Sequence, residues 1–75
     1  MEKENKRKEI TLHHWDFYES DGLFICYDNR EGDTWGHLAP GEEDVPQTLE
    51  GLEQYLSDYS EEDLYQWLTG SLEFY

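Results

Sequence analysis

Apolar residues enter this chain in two rhythms. From Glu9 to Ala39 they are dense, aromatic and branched; from Leu49 to Leu68 they recur every three or four positions. The first rhythm predicts strands over Glu9–Glu19, Leu23–Asn29 and Asp33–Ala39. Two triplets separate them, Ser20-Asp21-Gly22 and Arg30-Glu31-Gly32, and both end in glycine. Three-residue hairpin loops end in this way, because the last residue adopts a left-handed conformation. Such loops pair Glu19 with Leu23, Phe17 with Ile25 and Trp15 with Tyr27, then Asn29 with Asp33, Tyr27 with Trp35, Ile25 with His37 and Leu23 with Ala39. Trp15, Phe17, Leu23, Ile25, Tyr27, Trp35, His37 and Ala39 then share one nearly apolar face. His14, Asp16, Tyr18, Phe24, Cys26, Asp28, Thr34 and Leu38 share the other. A two-residue Asp21-Gly22 turn mixes the faces and is disfavoured on that ground. Ile10 and Leu12 fall on the wrong parity, which places a bulge near His13-His14.

The second rhythm predicts two short helices. Leu49, Leu52, Leu56 and Tyr59 mark the first, with Asp44-Val45-Pro46-Gln47 as its cap and proline in its first turn. Gly51 weakens it by ~1 kcal/mol relative to alanine. Ser60 caps the second, and Glu61, Glu62 and Asp63 complement the positive end of its dipole. Leu64, Trp67 and Leu68 form its apolar side, and Gly70 is its expected stop. Leu72-Glu73-Phe74-Tyr75 alternates, as a short fourth strand or a tail packed on the core does. The expected fold class is α+β: a three-stranded antiparallel β-meander followed by two short α-helices packed on one face.

Composition bears on whether such a chain folds. It has 75 residues, few enough for one domain with a thin core, about 60% of the unfolded surface being buried at this size. Low hydropathy with high charge is also a signature of disorder, but twelve residues are Phe, Tyr or Trp, and each can bury roughly 150–250 Å². A folded acidic domain over residues 9–75 is therefore expected, after a disordered basic tail at 1–8 that carries Lys3, Lys6, Arg7 and Lys8. A lone Cys26 excludes an intrachain disulfide. No apolar segment follows the charged start, and Leu23–Tyr27 is far short of the ~18 residues of a membrane span. The cytoplasm is the expected compartment.

Candidate chemistry changes the picture little. His37 reads as a core histidine, His14 opposite Asp28 as a surface pair, and Cys26 as a packed strand residue. Asp28-Asn29-Arg30-Glu31-Gly32-Asp33 resembles the start of a calcium loop, but Arg30 stands where a ligand is needed and Ala39 where the twelfth-position glutamate belongs. No zinc spacing, catalytic triad or phosphate-binding glycine loop occurs. The expectation is a protein with no cofactor, no metal and no enzymatic activity.

Charge changes it most. Residues 9–75 hold seventeen carboxylates against one basic side chain, Arg30, a net charge of −16. Solubility needs only about 2–8 in a small domain. Duplex DNA carries one charge per ~1.7 Å, so sixteen charges match ~27 Å of duplex, a length comparable to the span of a compact chain of this size. The carboxylates expected to face a partner are Glu42, Glu43 and Asp44 in the loop, Glu50, Glu53 and Asp58 on the first helix, and Glu61, Glu62 and Asp63 at the start of the second. Carboxylates can stand in for phosphate oxygens as acceptors for arginine. Nucleic acid and anionic membranes would repel such a surface.

In its small size, lack of disulfides, excess acid and exposed aromatics, the chain resembles the class of phage-encoded nucleic-acid mimics: anti-CRISPR, anti-restriction and uracil-glycosylase inhibitor proteins. The resemblance covers residues 9–75 in composition and rests on no motif. It implies an inhibitor, monomeric or weakly dimeric, that occludes the DNA- or RNA-binding groove of a basic host-defence protein in the host cytoplasm. Two other classes remain open. One is an immunity protein or antitoxin against a basic nuclease. The other is an adaptor for a basic host protein, with Tyr18, Phe24, Tyr55 and Tyr65 as anchors. Tyr18, Phe24, Cys26 and Leu38 form an expected apolar strip on the outer sheet face.

Overall fold

The computed structural model describes residues 9–42 and 44–74. The expected tail at 1–8, Glu43 and Tyr75 lie outside the described residues. Five antiparallel strands form one sheet in sequence order: β1 (Glu9–Leu12), β2 (Trp15–Ser20), β3 (Leu23–Asp28), β4 (Asp33–Leu38) and β5 (Glu73–Phe74). Helices α1 (Leu49–Leu56) and α2 (Glu61–Ser71) lie between β4 and β5 in the chain. The class is α+β, but the sheet has four strands and a short fifth rather than three.

The first expected strand breaks in two. His13-His14 is not a bulge but a two-residue turn that pairs Leu12 with Trp15, and His13 has φ 57. The fold puts Ile10 and Leu12 on the Trp15 and Phe17 side by this hairpin, since Ile10 pairs with Phe17.

The second correction moves more side chains. The β2–β3 loop is the two-residue Asp21-Gly22 turn, with φ 54 and 79, and it pairs Ser20 with Leu23 and Phe17 with Cys26. Two successive positive φ values match the right-handed twist of flanking strands, and Asp-Gly adopts them readily. One residue of slip reverses β3. Phe24, Cys26 and Asp28 point inward with Trp15 and Phe17, while Leu23, Ile25 and Tyr27 take the outer face. The apolar strip of Tyr18, Phe24, Cys26 and Leu38 therefore does not exist, because the last three are core.

The β3–β4 loop spans four residues, Asn29 to Gly32, and pairs Asp28 with Asp33. Gly32 has φ 77, as its place at the loop's end requires. Ile25 does pair with His37, on the outer face rather than the core face. A register shift opposite Cys26 and Tyr27 pairs Tyr27 with Thr34 and leaves Trp35 bulged between paired residues.

Both helices turn leucines onto the inner face of the sheet. Leu49, Leu52, Leu56, Leu64 and Leu68 join Trp15, Phe17, Phe24, Cys26 and Leu38 in one buried cluster. Each buried leucine contributes roughly 1.5–3 kcal/mol relative to exposure. Thr48, not Asp44–Gln47, caps α1, its hydroxyl accepting from the Gly51 amide at 3.0 Å. Ser60 caps α2 through the Asp63 amide at 3.1 Å. Gly70 does not stop α2, which runs to Ser71 and ends as Leu72 turns extended. Leu72 then enters the core, and Phe74 pairs with Gly36. Gly36 is required there, because a Cβ on it would fall within the Glu73 backbone.

Candidate functional site: an acidic groove walled by aromatic rings

Four elements meet where the β1–β2 turn, the β3–β4 loop, the start of β4 and the first turns of α2 converge. They enclose a groove of about 670 Å³. Its centre is Asp28, which is 1% exposed. One carboxylate oxygen, Oδ1, accepts from the Arg30 and Glu31 amides at 2.9 Å each, folding the β3–β4 loop around itself. Aspartate closes turns in this manner because its short side chain reaches the backbone two residues on. The other oxygen, Oδ2, is buried without a hydrogen-bond partner, and the His14 Nε2 lies 3.5 Å away. Burying a carboxylate is costly unless its oxygens are bonded, so an unsatisfied Oδ2 marks a place where a donor is wanted.

His14 ties the turn to the helix. Its Nδ1 is 3.6 Å from the Glu61 carboxylate, and its Nε2 is 3.3 Å from the Arg30 guanidinium. Arg30 also reaches Glu61 at 3.5 Å, with both side chains exposed, an arrangement worth about 0–1 kcal/mol. His13, next to it, contacts the Tyr59 carbonyl through Nε2 at 2.9 Å, so both histidines of the turn hold the α1–α2 junction.

Rings form the other wall. Trp15 lies 3.8 Å from the His14 ring and 5.6 Å, edge to face, from Trp35. Trp35 meets Tyr65 at 5.9 Å, again edge to face, and Phe74 at 6.2 Å. The spacings among Trp15, Trp35, Tyr65 and Phe74 suit the ring quadrupoles. The buried Trp15 Nε1 has no hydrogen-bond partner. A second hollow of about 460 Å³ continues past Trp35 and Tyr65 to Thr69 and Phe74. Tyr65 and Phe74 are among the large hydrophobic side chains left exposed.

The expected partner-facing carboxylates are divided between places. Glu61 and Glu62 line the groove with Asp28, Glu31 and Asp33. Glu42 and Asp44 line a separate hollow of about 280 Å³ with Val45, Pro46 and Tyr55. Glu50, Glu53, Asp58 and Asp63 are exposed but line neither. Asp28 is not half of a surface pair, although His14 does lie beside it. Phe24 is no anchor, being fully buried, whereas Tyr55 and Tyr65 are exposed. Asp28 and Trp35 escaped the sequence reading as groove residues. The Asp21-Gly22 dipeptide carried the signal for Asp28, since a two-residue turn there aims it inward. Trp35 depends on a register shift with no sequence mark.

Among the described residues, no three His, Cys, Asp or Glu side chains are grouped to hold a metal ion, and no helix is long and apolar enough to cross a membrane. No protein-family model matches the sequence, and comparison with curated proteins and with solved structures gives no significant match.

Proposed function

We propose that this protein is an acidic inhibitor that mimics nucleic acid and occludes the positively charged DNA- or RNA-binding groove of a basic target, such as a host-defence nuclease complex. One observation carries the reading: a net charge of −16 over residues 9–75, with the carboxylates of the α1–α2 half turned outward. Every described member of the expected set, Glu42, Asp44, Glu50, Glu53, Asp58, Glu61, Glu62 and Asp63, is exposed, while the leucines of the same segment are buried. The molecule measures 40 × 27 × 25 Å, so this charge is comparable to that of a duplex segment of its own size, ~1.7 Å of axis per charge. A groove lined with lysine and arginine would attract it from a distance and associate quickly. An immunity protein against a basic nuclease would use the same physics.

The exposed rings of Tyr65 and Phe74 favour a second reading, an adaptor that binds a basic protein without competing for nucleic acid. Competition separates the two. Immobilised protein is expected to retain nucleic-acid-binding proteins from a nuclease-treated lysate at low salt. Duplex DNA or RNA is expected to elute them, and retention should fall steeply as salt rises. A retained protein that still binds its nucleic acid when saturated with this chain excludes mimicry and leaves the adaptor.

A further inference from the structure

We propose that the groove between α2 and the β3–β4 loop is a receptor for one arginine side chain of the partner; the proposal rests on the basic-partner reading and names the anchor. Three observations converge. The lining is anionic, with Asp28, Glu31, Asp33, Glu61 and Glu62 against Arg30. Its aromatic wall includes the half-buried Trp35 and the exposed Tyr65, whose rings can take a planar cation on their faces. At its base, Asp28 Oδ2 is buried without a hydrogen bond, the His14 Nε2 standing 3.5 Å away. A guanidinium supplies both missing partners: N–H groups for the carboxylates and a flat positive surface for the rings. Trp15, which lines the same groove, also carries a buried Nε1–H with no hydrogen-bond partner.

The chain already holds one guanidinium at this place. Arg30, the single lysine or arginine of residues 9–75, rests on His14 and Glu61 at the edge of the groove. It acts as a placeholder that the partner's arginine displaces. A surface ion pair worth ~0–1 kcal/mol is little hindrance to the exchange.

The test is a titration of the full chain with the peptide acetyl-Gly-Arg-Gly-amide, with its citrulline counterpart, which is neutral and nearly the same shape, and with its lysine counterpart. The backbone amides and the indole N–H resonances of Trp15 and Trp35 are followed by NMR. The arginine peptide is expected to shift both indoles, saturating in the millimolar range, the lysine peptide to bind more weakly, and the citrulline peptide to leave them unmoved. Asp28→Asn keeps an oxygen for the loop amides but replaces the groove oxygen with a donor, and should weaken binding about tenfold. Glu61→Gln, at an exposed position, reads out the same loss where Asp28→Asn disturbs folding. Arg30→Gln should tighten binding several-fold. Equal response to arginine and citrulline, shifts confined to the Glu42–Asp58 surface, or no saturation in the tens of millimolar each overturns the proposal. Nucleic-acid competition is scored separately: a responsive groove without competition refutes mimicry alone, and competition with an unresponsive groove refutes the arginine receptor alone.

Discussion

Cys26 shows how one side chain senses the whole inner face. It stands on β3 fully buried, and burial, followed by the carboxylates of Asp28 and Asp16, pushes its thiol from the ordinary 9.0 up to about 12. In the unfolded chain the thiol ionises near its ordinary value. Below that pH the thiol is neutral in both states and leaves stability unchanged. Above it the unfolded chain loses the proton that the folded chain keeps, so stability falls as pH rises toward the folded value, by up to ~1.4 kcal/mol per pH unit. The Tyr59 hydroxyl is also raised, chiefly by its hydrogen bond with Tyr55, and acts with the same sign. Urea unfolding across the alkaline range should show the midpoint falling, and Cys26→Ala should flatten part of the slope. Iodoacetamide should label the native thiol far more slowly than the unfolded one. Equal labelling rates would refute the burial of Cys26.

At the scale of elements, two glycines predict opposite outcomes. Gly36→Ala would drive a Cβ into the Glu73 backbone and should cost ~1–3 kcal/mol by forcing β5 off β4. Gly70→Ala meets nothing within 4 Å inside α2 and should stabilise by up to ~1 kcal/mol. Thermal unfolding checks both, at ~4–8 °C per kcal/mol for a domain of this size. The helices were legible in the sequence because leucines at helical spacing and Ser60 before three acids are local signals, and both survive into the fold. The sheet was legible in its β2–β4 order but not in its faces. Leu23-Phe24-Ile25-Cys26-Tyr27 is apolar throughout and has no parity to read, so the assignment fell to the turn. There the Asp21-Gly22 dipeptide was the better guide than uniformity of the resulting face. Acid exposure was legible, whereas the groove was not. It needs Asp28 turned inward, Trp35 displaced by a bulge, and the ring of Tyr65 brought from the far half of the chain.

For the whole molecule, self-repulsion is the main electrostatic fact. The radius of gyration is 12.1 Å, whereas the Debye length is ~30 Å at 0.01 M salt and ~10 Å at 0.1 M. Repulsion across the body is therefore almost unscreened at the lower concentration and largely screened at the higher. The melting temperature should rise by several degrees over that interval, and an uncharged osmolyte at equal osmolarity should not reproduce the rise. A flat response would mean that the carboxylates are already neutralised within the fold. The sheet also orders events in time. The β1–β2 and β2–β3 pairs close over two-residue turns and β3–β4 over four residues, but Phe74 must find Gly36 across the whole of both helices. Long closures come late in folding and open early in fluctuation. The aromatic hollow beside the groove is thus the last surface to be completed and the first to be lost, and a partner seated against Trp35, Tyr65 and Phe74 would hold β5 in place as a latch.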